Sequence, residues 1–303
     1  MSAELAFNRS VDVDYGVPQE VAPDVRRIVA NNPGPYTFLG TNTYVVGSGQ
    51  VAIIDPGPSD ERHLKAIAAA TRGERLTHIL VTHSHHDHCD GARALQALLG
   101  GEICAFGPTG TPRGAGAPSL GDSFVDPAFV PDRRLGDGDT VRGKGFALDV
   151  LHTPGHAPDH FCFALVGKRT VFTGDHVMGW NTTVIAPPEG NMAKFLASLE
   201  RLMQRHDKMF LPAHGGRIQT PQRVVKAYIM HRKWREQTIL ACLEEGICTV
   251  PRIVARLYGT LDAGLKEAAA LSVLAHLEHL INRDLVGAER PGDLSSAFYL
   301  RAS

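Results

Sequence analysis

The sequence predicts an α/β layered domain over residues 1–220, followed by a small domain over residues 221–303. Two observations carry this prediction. Through the first two thirds of the chain, short apolar runs rich in β-branched residues alternate with segments of helical periodicity, which is the pattern of a layered α/β fold. Near residue 220 the composition shifts, and helical segments dominate the rest of the chain.

The predicted strands of the first domain are short and apolar. Residues 43–46 and 51–54 should pair across a turn at 47–50, and further strands are predicted at 76–82, 103–106, 146–151, 161–166, 170–172 and 209–211. Helices are predicted from a cap at Ser59 to Gly73, over residues 92–99 and over 191–206. The Gly/Pro-rich stretch 107–131 has no periodicity and is predicted to be a long loop that covers or binds substrate.

The second domain has the element order of a winged helix. Helices are predicted at 222–245, 250–259 and 264–283, and two short strands at 285–286 and 298–300 should form a hairpin. The domain carries 11 Lys and Arg against 9 Asp and Glu, so its charge is unremarkable. Winged helices often bind nucleic acid, but docking against the functional site and formation of a homodimer are further expected roles.

The composition is that of a globular protein without a strong charge. Hydrophobic residues make up 43% of the chain and charged residues 21%, and the formal net charge of −1 argues against nucleic acid as the main partner. The five cysteines are odd in number and form no CxxC pair, so we expect no disulfide framework. We find no apolar signal core and no apolar run long enough to span a bilayer, and therefore expect a cytoplasmic protein that does not contact a membrane.

Four histidines lie within six positions directly after the predicted strand at 76–82. In an extended segment, residues two apart point the same way, so His83 and His85 can bind one metal ion from one side. Asp87 and His88 follow where the chain turns into a helix, and they can reach a second ion. Imidazole and carboxylate together suit zinc or iron.

Three more predicted strands end in a histidine or an aspartate. His156 follows the strand at 146–151, Asp175 follows 170–172 and His214 follows 209–211, each in a Gly/Pro turn. Layered α/β folds place their sites at the carboxyl ends of strands. Four separate strand ends that each carry a histidine or an aspartate are hard to explain without a metal centre.

The motifs HSHHDH, TPGH, TGD and PAHGG occur in this order, and the chain resembles the metallo-β-lactamase superfamily over residues 30–220. The stretches GTNTY and HAPDH and the C-terminal winged helix are similar to the lactamase-β-like protein 2 type. The resemblance implies an αββα sandwich with the site along one edge. It also implies two metal ions with seven ligands: His83, His85 and His156 for the first ion, Asp87, His88 and His214 for the second, and Asp175 bridging both.

The aspartate at the bridging position separates branches of this superfamily. True β-lactamases have cysteine or serine there. With Asp175 at this position, the chain resembles the glyoxalase II, ribonuclease and related hydrolase branches instead, and we do not expect a β-lactam substrate. After His88 the family often has small residues, whereas Cys89 and Asp90 follow here. Cys89 is predicted to be buried at the start of a helix, with metal proximity or sensitivity to oxidation as the alternative.

The two ions are predicted to be zinc, with iron or manganese as alternatives. They would share a bridging water and lower its pKa toward ~7, which supplies hydroxide at neutral pH. Asp87 is predicted to orient that hydroxide as well as to bind metal, and His160 to protonate the leaving group. Asp55 is predicted either to accept a hydrogen bond from the second ring nitrogen of a ligand histidine or to be a plain turn residue. His86 and His176 lie beside ligands, and a structural role is expected for both.

The predicted reaction is hydrolysis of an ester or thioester of a small acyl group, which is favoured over nucleic acid as substrate. The segment 178–189, after Asp175, is apolar and aromatic and is predicted either to line an acyl pocket or to be a packed connector. The alternatives are a phosphodiesterase or endoribonuclease acting on single-stranded RNA, a mononuclear iron oxygenase, and a non-catalytic metal-binding module. The substrate that is cleaved and the metal content discriminate among them.

Overall fold

A computed structural model describes residues 7–107, 124–261 and 263–301. In it, two β-sheets face one another across a shared apolar core, and helices cover the outer face of each sheet. The predicted αββα sandwich is therefore confirmed. Residues 108–123, which make up most of the loop predicted at 107–131, lie outside the described residues.

The first sheet has seven strands that follow one another in chain order. They are β1 (Gln19–Ala22), β2 (Val25–Val29), β3 (Asn42–Ser48), β4 (Gln50–Ile54), β5 (Arg75–Leu80), β6 (Glu102–Ala105) and β7 (Arg133–Arg134). Strands β4 to β7 are parallel, so their carboxyl ends meet at one edge. Between them run the helices α1 (Glu61–Ala70), α2 (His86–Cys89) and α3 (Gly91–Leu99).

The second sheet has five strands in the order β12-β11-β10-β9-β8. They are β8 (Thr140–Gly143), β9 (Phe146–His152), β10 (Phe161–Leu165), β11 (Thr170–Gly174) and β12 (Met209–Pro212). Helix α4 (Met192–Met203) connects β11 to β12, which pair in parallel. The carboxyl ends of these two strands therefore lie at the same edge.

Alternation of side chains along the strands accounts for the sandwich. In β3, Tyr44 and Val46 point into the core between the sheets, whereas Val45 packs under the outer helices. In β10, Phe163 faces the central core and Cys162 faces the layer that contains α4. Both faces of these two strands are apolar because each sheet is covered on both sides.

Element boundaries differ from the predicted ones where local capping decides them. Asp60, and not Ser59, caps α1, because its side chain accepts a hydrogen bond from the backbone N–H of His63 at 2.9 Å. The helix ends at Ala70, before Gly73. The four-residue turn predicted after β3 is shorter, since β3 continues to Ser48 and β4 begins at Gln50.

The C-terminal segment contains α5 (Pro221–Glu244), α6 (Val250–Leu257), α7 (Ala263–Asn282) and a hairpin of β13 (Val286–Ala288) and β14 (Phe298–Leu300). The predicted winged-helix order is confirmed. Helix α5 packs on both parts of the molecule: Val225 and Tyr228 contact the layer of α4, whereas Ile239 and Leu243 belong to the C-terminal core. A domain boundary at 220/221 remains a prediction. None of the helices in the described ranges is long and apolar enough to cross a membrane.

Buried His63 makes the stability of the protein sensitive to acid. Its Nε2 lies 2.8 Å from the Thr43 hydroxyl, which itself donates to the carbonyl oxygen of Asp55, so His63 is the donor and its Nδ1 carries no proton. Burial lowers the pKa of His63 from 6.5 to about 4. The unfolded chain therefore binds a proton that the folded chain excludes, and stability is lost as the pH falls below 6.5 toward 4. Linkage predicts a loss of about 2 kcal/mol between pH 7 and pH 5 from this residue.

Urea unfolding of the wild type and of His63→Gln at several pH values checks this prediction. The glutamine keeps a donor for Thr43 but does not titrate, so its free energy of unfolding should fall less steeply with acid. Identical pH slopes in the two proteins would contradict the prediction.

Candidate metal centre

All seven side chains predicted to bind metal meet at one edge of the sandwich. Five of them follow the end of a strand, and two lie in a short helix. His83 and His85 come after β5, His156 after β9, Asp175 after β11 and His214 after β12, whereas Asp87 and His88 lie in α2. Their ligand atoms form overlapping groups in which all atoms lie within 4.8 Å of one another: His83, His85 and His156; His83, His88 and Asp175; and Asp87, His88 and His214. Strand ends separated by up to 131 positions thus converge on one place.

The first group consists of three histidine rings that face one another. Nε2 of His83 lies 2.9 Å from Nδ1 of His85, and Nε2 of His156 lies 3.2 Å from the same atom. The other nitrogen of His156 donates to the carbonyl oxygen of Val184 at 2.8 Å, so its Nε2 presents a lone pair to the group. Three imidazole nitrogens that converge in this way match the ligand set of zinc.

The second group consists of Asp87, His88 and His214. Nε2 of His88 and Nε2 of His214 each lie 3.3 Å from Oδ2 of Asp87. Nδ1 of His214 faces the carbonyl oxygen of Gly40 at 3.2 Å. The Nε2 atoms of both rings are therefore the ones turned toward Asp87 and available to a metal ion.

Asp175 lies between the two groups. Its Oδ1 is 3.3 Å from Nε2 of His214 and 3.7 Å from Nε2 of His88, whereas its Oδ2 is 3.8 Å from Nε2 of His156. Both Oδ1 of Asp175 and Nε2 of His88 are buried, and among the described residues neither has a hydrogen-bond partner. Buried polar atoms without partners are costly. The donor set and these two atoms therefore fit bound metal ions.

Burial and charge act in opposite directions on the ligands. Burial lowers the pKa of His85 to about 3, so that ring is neutral and ready to bind metal. Burial also acts to lower the pKa of His214, but the carboxylates of Asp175 and Asp87 outweigh it and raise the pKa to about 10. Metal binding at His214 must therefore displace a proton, which makes metal affinity depend on pH.

Asp55 supports a histidine of each group, one directly and one through Thr82. This is the role expected of a residue that holds the ring nitrogen of a metal-binding histidine. Its Oδ2 accepts hydrogen bonds from Nδ1 of His88 at 2.9 Å and from the Thr82 hydroxyl at 2.8 Å. The Thr82 oxygen is in turn 3.0 Å from Nδ1 of His83. Such contacts fix the orientation of ligand rings. The plain turn role that the sequence left open is therefore wrong.

Two residues that support Asp87 were not predicted. The Thr41 hydroxyl donates to Oδ2 of Asp87 at 3.1 Å, and Nδ2 of Asn32 donates to the Thr41 oxygen at 3.0 Å. Both polar side chains are in the loop that precedes β3, and 46 positions separate Thr41 from Asp87. The GTNTY stretch was the only signal in the sequence.

His160 does not have the position of a proton donor to a substrate. Its ring is 0% exposed, its Nε2 accepts a hydrogen bond from the backbone N–H of Asp175 at 3.1 Å, and its Nδ1 lies 2.9 Å from the Thr153 hydroxyl. Both nitrogens are therefore engaged inside the protein. These contacts correct the sequence prediction: His160 orients the backbone of Asp175. His176 is also buried, with its ring 4.7 Å from that of Phe195, whereas His86 bonds to Asp90 at 2.8 Å.

A cavity of about 360 Å³ opens onto the ligands. Asp87, His85, His156, Asp175 and His214 are among its lining residues. Its walls are mostly apolar and come from the loop before β3, from Phe124 and from the segment after Asp175: Pro33, Pro35, Tyr36, Phe124, Val184, Ala186, Pro187 and Pro188. Part of the segment 178–189 lines this cavity, whereas other members of it, such as Ile185, are fully buried and pack inside the protein. Binding of an acyl group there stays a prediction.

Cys89 is buried, as predicted, at the end of α2. Burial raises the pKa of its thiol, which keeps it protonated. Its sulfur forms a group with carboxylate oxygens of Asp90 and Asp126, apart from the seven ligands. The thiol therefore takes no part in the two groups described above.

Comparison with known proteins agrees with the fold. The model of the metallo-β-lactamase superfamily matches residues 36–214, and that of the β-lactamase-associated winged helix domain matches residues 249–291. Among solved structures, a β-lactamase domain protein from Burkholderia ambifaria has a TM-score of 0.77 at 23% identity and covers 96% of both chains. A metallo-β-lactamase family protein from Thermus thermophilus has a TM-score of 0.75 at 22% identity, covering 93% of this chain and 100% of its own.

Curated relatives are similar over most of their length. Lactamase-like protein ptaB of Pestalotiopsis fici is 30% identical over 265 residues, covering 83% of this chain and 77% of its own. Atrochrysone carboxyl ACP thioesterase dmxR1 of Cryptosporiopsis sp. is 29% identical over 269 residues, also covering 83% of this chain and 77% of its own. Fold and site define a hydrolase with a cluster of metal-binding side chains. The chain belongs to the metallo-β-lactamase superfamily, in a group whose members are named lactamase-like proteins and thioesterases.

Proposed function

We propose that this hydrolase uses two metal ions, with zinc as the expected metal, to cleave thioesters of apolar acyl groups. The observation that carries the proposal is the position of Asp175 in the lining of a mainly apolar cavity. One carboxylate oxygen of Asp175 faces His214 and His88, and the other faces His156. A carboxylate placed in this way suits a bridging ligand between two ions.

When bound, such ions lower the pKa of water and polarise the carbonyl group under attack. The residues of the chain would supply the geometry. Asp87 carries a negative charge, because hydrogen bonds and the charge of His88 outweigh burial and hold its pKa well below the usual range. With Thr41 fixing its Oδ2, Asp87 can accept a hydrogen bond from the attacking water and orient it toward the cavity.

The cavity supports an acyl group as the part of the substrate that is recognised. Its proline and aromatic walls exclude water and contact apolar groups. Neither lysine nor arginine occurs among the described residues that line it. An RNA site would need cations for the phosphates, so these walls favour an acyl substrate over single-stranded RNA.

The burial of His160 favours a thioester over an oxygen ester. A thiol has a pKa of ~8.5, so it departs as a thiolate near neutral pH with little help from an acid, whereas an alcohol needs a proton donor. His160, the predicted proton donor, is enclosed in the protein. The site therefore suits a thiolate, which leaves more readily than an alkoxide. The relatives named as acyl carrier protein thioesterases lend support to the same chemistry.

Metal analysis and a matched pair of substrates test this proposal. We expect about two zinc ions per chain, and faster hydrolysis of a benzoyl thioester of N-acetylcysteamine than of the oxygen ester with the same acyl group and an otherwise identical alcohol. A labelled single-stranded RNA serves as the third substrate. Cleavage of the RNA alone would replace the thioesterase by a nuclease. One iron per chain without hydrolysis of any of the three would overturn the proposal in favour of an oxygenase.

A further inference from the structure

Helix α5 of the C-terminal segment contacts the loop that connects β11 to α4, here called the 176–190 loop. The hydroxyl of Tyr228 accepts a hydrogen bond from the backbone N–H of Met178 at 3.0 Å. The same oxygen lies 2.6 Å from the carbonyl oxygen of Asn181 and 2.7 Å from that of Met178, and donates its proton to one of them. Tyr228 is fully buried, so these contacts are shielded from water.

Arg232, one turn further along α5, binds the same loop. Its side chain is only 4% exposed, its Nη2 donates to the carbonyl oxygen of Thr183, and its guanidinium lies over the ring of Phe195 at 5.3 Å. Within the described part of the chain, no carboxylate forms an ion pair with it. Burying a cation without a carboxylate partner is costly. The ring of Phe195 in α4 offsets part of this cost, and the hydrogen bond to Thr183 offsets more of it only while the loop keeps its present conformation.

The peptide group that Arg232 binds leads directly to two of the seven metal-binding residues. The Thr183 hydroxyl donates to the backbone carbonyl oxygen of Asp175 at 2.7 Å. The next residue, Val184, accepts the hydrogen bond from Nδ1 of His156 at 2.8 Å. One short piece of loop therefore holds the backbone of Asp175 and sets the ring orientation of His156, and α5 holds that piece of loop.

We propose that Arg232 and Tyr228 are positioning residues of the metal centre, through which the C-terminal segment sets the geometry of Asp175 and His156. The inference rests on the proposed metal centre. It assigns to the C-terminal segment a role in metal binding, beyond docking, nucleic-acid binding or dimer formation. The carbonyl group of Val184 contacts the His156 ring directly, and loss of a direct partner of a ligand typically changes metal affinity 10- to 100-fold. Arg232 acts on this contact through the neighbouring residue Thr183.

Arg235 provides a matched control on the same helix. It is also buried, at 8% exposure, and its guanidinium lies over the rings of Tyr258 and Trp234 at 4.4 and 5.0 Å. Among the described residues it forms no hydrogen bond or ion pair with the 176–190 loop. Removing its charge therefore disturbs α5 without disturbing the contacts to the metal centre.

The experiment compares Arg232→Met, Tyr228→Phe and Arg235→Met in the full chain. Zinc affinity is measured by competition with a chelator, the visible spectrum is recorded after loading with cobalt, and kcat and KM are determined for a thioester. We expect Arg232→Met to bind zinc about 10- to 100-fold more weakly, with an altered cobalt spectrum. Tyr228→Phe, which removes only an oxygen, should show a smaller change in the same direction. Arg235→Met should bind zinc like the wild type.

The outcomes separate this inference from the proposed function. Arg232→Lys retains one donor for Thr183 and should recover part of the affinity. Thr183→Val should weaken zinc binding, and its combination with Arg232→Met should cost less than the sum of the two, because both act through one chain of contacts. A wild type that binds no metal would overturn both proposals. A wild type that binds two zinc ions, with Arg232→Met and Arg235→Met equal in affinity and spectrum, would overturn the positioning role alone.

Discussion

Asp175→Ala is expected to bind no more than one zinc ion per chain and to lose nearly all hydrolytic activity. The side chain faces candidate ligands of both groups directly, with 3.3 Å between Oδ1 and Nε2 of His214 and 3.8 Å between Oδ2 and Nε2 of His156. Its removal leaves two sites without a shared carboxylate. We expect kcat/KM to fall by at least ~10³-fold, which corresponds to several kcal/mol of transition-state stabilisation.

Asp207→Ala is the control for this prediction. Asp207 is also a buried aspartate, but it pairs with Arg205 at 2.7 Å beyond the C-terminal end of α4, outside the groups of ligands named above. Elemental analysis and thioester turnover of both variants give the comparison. Full metal content and activity in Asp175→Ala would contradict a bridging role, and equal losses in both variants would point to a general effect on folding.

The second large effect is expected from Gly155→Ala, at the residue before His156. A Cβ atom at this position would lie 2.3 Å from the Cα of Phe195 and 2.5 Å from its backbone nitrogen, and φ of Gly155 is +145°. Because backbone atoms of α4 cannot move aside as a side chain can, the loop that carries His156 must shift. Strain and overpacking together should lower the free energy of unfolding by about 3 kcal/mol or more and weaken zinc binding.

Gly145→Ala separates the two causes. Gly145 also has a positive φ, +90°, but an added Cβ would meet nothing within 4 Å. It should cost about 1 kcal/mol from backbone strain alone and leave zinc binding unchanged. Urea unfolding and chelator competition measure both quantities. Equal destabilisation by the two substitutions would show that contact with α4 is unimportant.

The sequence was most informative where buried strands end in turns. Apolar runs before His83, His156, Asp175 and His214 predicted four strands that end in candidate metal-binding side chains, and the structure brings these side chains together at one edge. Local pattern sufficed because strand periodicity and strand ends are encoded in neighbouring residues.

Strand β2 was not predicted, because charged residues interrupt its apolar pattern. Strand β2 has Arg26 and Arg27 at its centre, and their side chains find partners elsewhere: Arg26 binds Glu74 at 2.6 Å and Arg27 binds Gln19 at 2.6 Å. Such partners lie far along the chain or in a neighbouring strand. Tertiary contacts of this kind override the local pattern.

The roles of individual site residues depended on contacts that no local pattern contains. The sequence placed His160 near the candidate ligands, but the ring is buried, and its nitrogens are engaged by the Thr153 hydroxyl and the backbone N–H of Asp175. Support of Asp87 by Thr41, and of the 176–190 loop by Arg232, joins residues 46 and 49 positions apart. Proximity in sequence to a ligand thus indicated the neighbourhood of the site, whereas function within it required the three-dimensional contacts.

The orientation of histidine rings in both groups depends on Asp55. Its Oδ2 binds the His88 ring directly and, through the Thr82 hydroxyl, the ring of His83. His83 belongs to the first group and His88 to the second, and the two also share a group with Asp175, so neither ring can be tuned at this position without the other. A protein engineer who wanted a half-loaded or mixed-metal enzyme would therefore leave Asp55 unchanged and work at His214, whose outer nitrogen faces the carbonyl oxygen of Gly40. In the proposed two-metal site, selectivity for one ion would have to be built at the periphery, because the buried carboxylate of Asp55 supports a ring of each group.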